Sequence, residues 1–373
     1  PSKTKEISHY LDWMKINEIF PVNSVGIVTS RDNFVIDEDK QNLQRKLDYF
    51  TNLSLPDELI EKIYKLKNTK YWHISGARKN LADIDTHNFI YNILYRPFDI
   101  RYIVYHPALI ERMLYKTMRH MLKDNLALCT VRQVKTGNNW QHVLITDKIV
   151  ESCYVSNRTS EICYVFPLYV YTDDENIGLY DNLEPEKKPN LSSPIFLTLK
   201  EAFNSDIKPD EILFYVYSIL YCNNYRQTYF DFLKVDFPRV PFTADGVLFQ
   251  QMAALGKRLI DLHLLRSPEL EQPIARFEGQ GEDLTITTPK YDPKTSRVWI
   301  NATHYLEGIA PEVWHYQIGG YQVLDKYLKG RKGRSLEDPR HILRVATALA
   351  KTIEVQKEID ALYPQVEENL ITF

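Results

Sequence analysis

Alternation of apolar and polar positions is clearest at Glu161–Tyr171, where Ile162, Tyr164, Phe166, Leu168 and Val170 share one face, as in a half-buried strand. Two more strands are predicted at Asn125–Val134 and His142–Val150, and Tyr91–Tyr105 reads as strands broken at Pro97. Val25–Thr29 is strand-like and runs into the polar turn Ser30–Asn33. The helical period appears most clearly at Leu109–Lys123, where Ile110, Met113, Leu114, Thr117 and Met121 fall on one side. Helical patterns also occupy Tyr10–Phe20, the stretch opening at Asp57, the stretch opening at Pro209, Tyr225–Lys234, Gly246–Leu265, Val323–Leu328 and Pro339–Tyr363. Pro238 ends the Tyr225 helix region because proline cannot continue the hydrogen-bond ladder. Leu284–Thr288 and Arg297–Trp299 read as a hairpin.

These elements predict a mixed α+β chain: a sheet-containing portion over residues 61–200 and a mainly helical portion with a small hairpin over 201–373. Residues 1–60 read as a connector, and the polar stretch Thr172–Ser193 as an exposed loop. At 373 residues the chain exceeds the size at which one core usually stops growing, so two packed units are expected. Cys129, Cys153, Cys163 and Cys222 show no zinc or CxxC spacing and read as reduced thiols in a cytoplasmic protein. No apolar run approaches the length of a membrane span. The opening Pro1-Ser2-Lys3-Thr4-Lys5 carries neither an initiator Met nor a signal pattern, which reads as a piece of a longer polypeptide.

Charge changes this picture. The net charge is −3, yet Lys62–Lys135 holds 14 Lys/Arg against five acidic residues, and Lys326–Lys351 holds eight against two. Such blocks can form phosphate-facing surfaces on a protein that is acidic elsewhere, or can be ordinary solvated faces. On the predicted Leu109–Lys123 helix, Arg112, Lys116, Arg119 and Lys123 line the side opposite the apolar one, a basic stripe suited to a phosphate backbone. A membrane surface is a rival partner for such a helix. Lys329, Arg331, Lys332 and Arg334 form a second phosphate-binding candidate. Base edges are best met by Arg, Asn, Gln and Ser/Thr. Arg132, Gln133, Lys135, Asn157, Arg158 and Thr159, in polar stretches between the predicted strands, are therefore the base-reading candidates. The same residue types also build ordinary turns.

Motifs for self-sufficient catalysis are missing. There is no GxxxxGK[ST], no GxSxG, no HExxH and no [DNS]PP[YF] tetrapeptide, so neither nucleotide hydrolysis nor amino-group DNA methylation is expected here. Asp32 with Glu38-Asp39-Lys40, and Asp283 with Asp292-Pro293-Lys294, superficially match the carboxylate and lysine set of metal-dependent nucleases. Triplets of this kind recur by chance in a chain with 49 acidic residues.

An ordered series of short segments resembles the C-terminal specificity region of the Type ISP restriction-modification enzymes, single chains combining nuclease, helicase-like translocase, methyltransferase and target-recognition parts. The segments are Ser24–Phe34, Tyr95–Arg101, Phe166–Tyr169, Tyr215–Leu220, Tyr225-Arg226, Asp236–Pro241, Leu255–Leu259, Leu262–Leu264, Ile318–Leu324 and Lys329–Arg334. Most of these residues read as architectural: Pro97, Pro167 and Pro238 fix turns, and Gly319-Gly320 permits a bend. The resemblance implies that residues 1–60 follow a methyltransferase domain. It also implies that the region reads a target in duplex DNA, so that methylation and cleavage are directed to one site by other domains of the same polypeptide. Under it no cofactor belongs to this chain: S-adenosylmethionine, ATP and Mg are expected in the other domains, and the isolated chain is no enzyme. The alternative is a protein-interaction domain that couples methyltransferase to translocase, and a metal-dependent nuclease is the remote one.

Overall fold

A computed structural model describes residues 9–135, 137–158, 161–172 and 186–373. It is an α+β structure, as the mixed periodicities predicted, built from several small sheets and long helices. The central sheet has four antiparallel strands: β1 (Ser24–Val25), β2 (Ala127–Val131), β3 (Val143–Thr146) and β4 (Cys163–Pro167), in the order β1-β4-β2-β3. β2 and β3 are buried at every position, because this sheet is covered on both faces.

A second four-stranded sheet runs Ile36–Asp37, Asp99–Val104, Ile90–Arg96 and Ile149–Val150. Its main hairpin turns at Pro97-Phe98, where the chain was expected to break, and Phe98 takes the left-handed conformation with φ of 60°. The predicted strand His142–Val150 is in fact two: after Thr146 the chain turns at Asp147-Lys148, and Ile149–Val150 joins the second sheet in parallel. One short segment thus ties the two sheets together.

The helical layers rest on α1 (Pro209–Tyr221), α2 (Gly246–His263) and α3 (Arg340–Glu368). From Ile212 to Tyr221 only Phe214 escapes full burial, so α1 is apolar nearly all round, the signature of an internal helix. It approaches α2 so closely that a Cβ on Gly256 would lie 1.8 Å from the Phe214 carbonyl oxygen. His263, at the end of α2, is fully enclosed between Tyr217 and Thr352, and burial, reinforced by Arg226, pushes its pKa down to about 3.

Further predicted elements differ. The expected Leu284–Thr288 strand is irregular; Arg297–Trp299 pairs instead with Lys290–Asp292, inside a four-stranded sheet completed by His304–Glu307 and Arg276–Gly279. The N-terminal helix is interrupted at Met14–Lys15, which forms a strand with Arg239–Val240. The single amphipathic helix expected over Leu109–Lys123 does not form. Arg112 exchanges backbone hydrogen bonds with Val28 at 3.1 and 2.9 Å, which requires extended backbone there. Leu114 then turns left-handed at φ of 50°, leaving one turn at Tyr115–Met118 and a 3₁₀ turn at Arg119–Leu122. The apolar positions are still buried or half-buried, but the four cations form no continuous stripe.

Between the layers, Asp99 is buried and receives Arg331 at 2.7 Å and Arg101 at 2.8 Å, while Glu38 faces Arg101, Arg331 and Arg334. Burial works against the Asp99 carboxylate, but the charges of Arg331 and Arg101 outweigh it and hold its pKa below the ordinary value. Arg331→Met should cost about 3 kcal/mol in urea unfolding, because Asp99 is left buried with half of its compensation. Adding Asp99→Asn should recover part of that loss; additive losses would contradict the pairing.

Candidate nucleic-acid interface

The register of the central sheet determines which loops meet. Val131, the last residue of β2, pairs with Cys163, the first of β4. The chain leaving β2 through Arg132, Gln133 and Lys135 and the chain arriving through Asn157 and Arg158 therefore share one end of the sheet. A Cβ on Gly137 would lie 3.7 Å from Nη1 of Arg158, so the two loops are in contact range. Arg132, Lys135, Asn157 and Arg158 are exposed, and Gln133 is half-buried. Thr159 lies outside the described residues.

Both loops are anchored beneath their exposed side chains. Glu161, 1% exposed, accepts from Ser156 Oγ at 2.6 Å and is 3.1 Å from His142 Nε2. Ser156 Oγ also accepts from the Arg158 backbone N–H at 3.2 Å. Burial disfavours the Glu161 carboxylate, but hydrogen bonds from His142 and Ser156 prevail, and its pKa lies below the ordinary value. On the other loop, Val134 N–H donates to Lys234 O at 2.9 Å, and Arg132 meets Asp236 at 3.2 Å. Asp236 also holds Lys15 at 2.8 Å; with these partners its carboxylate is favoured despite partial burial.

The helical portion supports the same end of the sheet. Gly319, with φ of 56°, donates to Gln141 O at 2.8 Å, and Gly320 donates to Val155 O at 3.0 Å. A Cβ at Gly319 would sit 1.9 Å from Val155 O, and one at Gly320 would sit 2.5 Å from Ser156 Oγ. Only glycine allows this approach. The bend expected at Gly319-Gly320 is therefore also a clamp on both polar loops.

The other predicted cations lie elsewhere. Lys116, Arg119 and Lys123 precede β2 and so occupy the opposite end of the sheet, roughly 16 Å away for a five-residue strand. There Lys116, Arg119, Tyr115, His120, Tyr171 and Lys188 line a cleft of about 540 Å³. His120 accepts from the Tyr171 backbone N–H at 3.1 Å, and burial, with Arg119 beside it, pushes its pKa down to about 4, so it is neutral at pH 7. Lys188 was not singled out in the sequence; the strand pair Tyr169–Tyr171 and Lys187–Pro189 brings it there. Arg112 is exposed beside Val28. Lys329–Arg334 is divided: Lys329 pairs with Asp325, Arg334 with Glu38, and Arg331 is held by Asp99 and stacked 3.7 Å over Tyr327, while Lys332 is exposed. Arg331 is a structural cation and presents no free face to a phosphate.

The carboxylates of the nuclease alternative do not converge. Asp32 accepts from Tyr95 Oη at 2.7 Å, whereas Glu38 belongs to the arginine cluster around Asp99. Asp283 and Asp292 hold their own turns through the Thr285 and Lys294 backbone N–H groups. Among the described residues no group of three or more His, Cys, Asp or Glu side chains is arranged to hold a metal ion. No helix among them is long and apolar enough to cross a membrane.

Polar loops are thus clamped at one end of the central sheet, with Arg132, Lys135, Asn157 and Arg158 exposed on them. The chain belongs to the Type ISP C-terminal specificity domain family, whose model matches residues 18–361. It is similar in structure to a nuclease-deletion mutant of the Type ISP restriction-modification enzyme LlaGI in complex with a DNA substrate mimic (TM-score 0.65, 20% identity, 94% of this chain and 29% of that one). It is also similar to the ATP-dependent Type ISP enzyme LlaBIII bound to DNA (0.68, 18%, 94% and 24%) and to DrdV in a DNA complex (0.68, 22%, 93% and 36%). The chain thus spans about a quarter to a third of the length of these proteins. No curated protein sequence matches it.

Replacing Glu161 by Gln should flatten the pH dependence of stability in acid. A carboxylate whose folded pKa is depressed contributes fully above its unfolded pKa of about 4.3, and the contribution is lost as pH falls through the folded value. Urea midpoints between pH 5 and pH 3 should fall less steeply for Glu161→Gln than for the parent; parallel curves would remove Glu161 from the anchoring role.

Proposed function

We propose that this chain is the target-recognition module of a Type ISP restriction-modification enzyme. It reads a short sequence in duplex DNA and directs methylation and cleavage by other domains of the same polypeptide. The observation that carries this reading is the convergence of Arg132, Gln133, Lys135, Asn157 and Arg158 at one sheet end in a member of the specificity-domain family. Its structural neighbours are DNA complexes of restriction-modification enzymes, which supports the same partner. In this reading the sheet-end loops meet base edges in a groove, where arginine and carboxamide side chains discriminate base pairs. Lys116, Arg119 and Lys123, together with Arg112, Lys329, Lys332 and Arg334, supply phosphate contacts that set affinity and register. Chemistry resides in the methyltransferase, helicase-like and nuclease parts of the polypeptide, which hold S-adenosylmethionine, ATP and magnesium.

Selection of a random duplex library by the chain should retain one motif of a few base pairs. Against that motif Arg158→Ala should lose roughly 1–3 kcal/mol and relax one position, whereas Lys116→Ala should weaken all duplexes alike and flatten the salt slope. Absence of any enriched motif, with tight binding to the methyltransferase domain, would favour the coupling role instead.

A further inference from the structure

Between the reading loop and the short helix Asn223–Thr228 lies a cleft of about 300 Å³ lined by Asn138, Trp140, Gln141, Arg226, Gln227 and Phe230, among others. Two of these side chains are more than nine-tenths buried and incompletely satisfied. Trp140 is 2% exposed, and its indole Nε1 has no hydrogen-bond partner. Arg226 is 8% exposed; its Nε donates to Leu220 O at 2.6 Å and its guanidinium also meets the neutral Tyr221 and Tyr316 hydroxyls, but Nη2 has no partner. Among the described residues no carboxylate lies within ion-pair distance of Arg226, whose guanidinium sits 4.6 Å over the Tyr221 ring and 5.7 Å from that of Trp140. The nearby Asp360 carboxylate is taken up by the backbone N–H groups of Asn223 and Asn224.

A buried cation without a counter-ion, beside a buried donor without an acceptor, is costly in an unoccupied protein. Both free groups can only donate, so the missing occupant is an acceptor, and the unmatched charge makes it an anion. From this we propose that the cleft binds a phosphate group, held by Arg226 Nη2 and Trp140 Nε1. The source of that phosphate is the backbone of the bound duplex, an assignment that rests on the DNA-reading function above. Trp140 lies in the loop that begins at Arg132, so a phosphate seated here sets the position of the reading side chains against the bases. Tyr225-Arg226 stood among the segments read as architectural; in the structure Arg226 is architectural through Nε and free at Nη2.

Trp140→Phe separates the site from the fold. It deletes a donor that bonds to nothing in the unliganded protein together with the five-membered half of a buried indole, so the melting temperature in chloride should fall modestly, and the phosphate response is read against each variant's own value in chloride. With inorganic phosphate at matched ionic strength the parent chain should be stabilised, and Trp140→Phe and Arg226→Lys should lose most of that gain. Duplex affinity of Trp140→Phe should fall roughly tenfold, the loss expected for one hydrogen bond to a charged group. Equal phosphate stabilisation of the parent and Trp140→Phe, or none in the parent, would overturn the site. A loss confined to inorganic phosphate, with duplex affinity intact, would overturn the backbone anchor and assign the cleft to a free phosphate compound. A parent chain that responds to phosphate but binds no duplex would refute the DNA reading and leave the anion site standing.

Replacing Gly319 by Ala tests the clamp that carries both this cleft and the reading loops. The added Cβ would overlap Val155 O, so the urea midpoint should fall further than a left-handed alanine alone would lower it. An unchanged urea midpoint would contradict the close approach to Val155.

Discussion

Two glycines in the helical portion pressed against two loops of the sheet portion determine what this molecule can present to a partner. Gly319 and Gly320 donate their backbone N–H groups to Gln141 and Val155, and their lack of side chains is what lets the backbones meet. Gln141 belongs to the loop leaving β2, and Val155 to the loop entering β4. One contact therefore fixes both loops, and the buried Glu161 network fixes the second from below. Loops that carry binding residues are usually the mobile part of a fold. Here they are held from two sides, so less order has to be gained on binding, which favours affinity for a given set of contacts.

Charge follows the same division between holding and presenting. Arg331, Arg101, Asp99 and Glu38 form an inward cluster that joins the second sheet to the segment after Leu328. Arg226 is inward too, but lacks a carboxylate, and the energetic argument for an anion rests on that contrast. Among the exposed candidate cations, Arg132, Lys135 and Arg158 lie at one end of the central sheet and Lys116 and Lys123 at the other. An extended, uniformly charged polymer can touch both at once. A net charge of −3 conceals this because acidic residues are concentrated elsewhere in the chain.

Much of the architecture was legible in the sequence because burial is periodic. The break at Pro97 and the apolar run at Ile212–Leu220 each correspond to an observed element, and strands form within Ile162–Val170, but burial there does not follow the alternation: Ile162 is exposed while Cys163 and Val165, on the opposite face, are fully buried in a sheet covered on both sides. Elements shaped by distant partners were less accessible. Leu109–Lys123 satisfies the helical period, yet the Arg112 backbone groups are taken by Val28, a contact made across more than 80 positions that periodicity cannot register. The strand expected across His142–Val150 divides at Asp147 because its two halves serve different sheets. The candidate base-reading residues could be named from chemistry alone, since polar turns between strands are where exposed Arg and Asn occur. Their convergence required the register Val131 to Cys163. Arg331 and Arg226 look alike in the sequence; only burial and partners separate a paired cation from an unpaired one.

The central claim is that the sheet end carrying Arg132–Lys135 and Asn157–Arg158 faces the DNA. Amide hydrogen exchange of the chain, alone and with a duplex carrying its enriched motif, tests this most directly. The account predicts new protection in the loops leaving β2 and entering β4, and weaker protection near Lys116. Protection confined to Lys329–Arg334, with both loops unchanged, would contradict it.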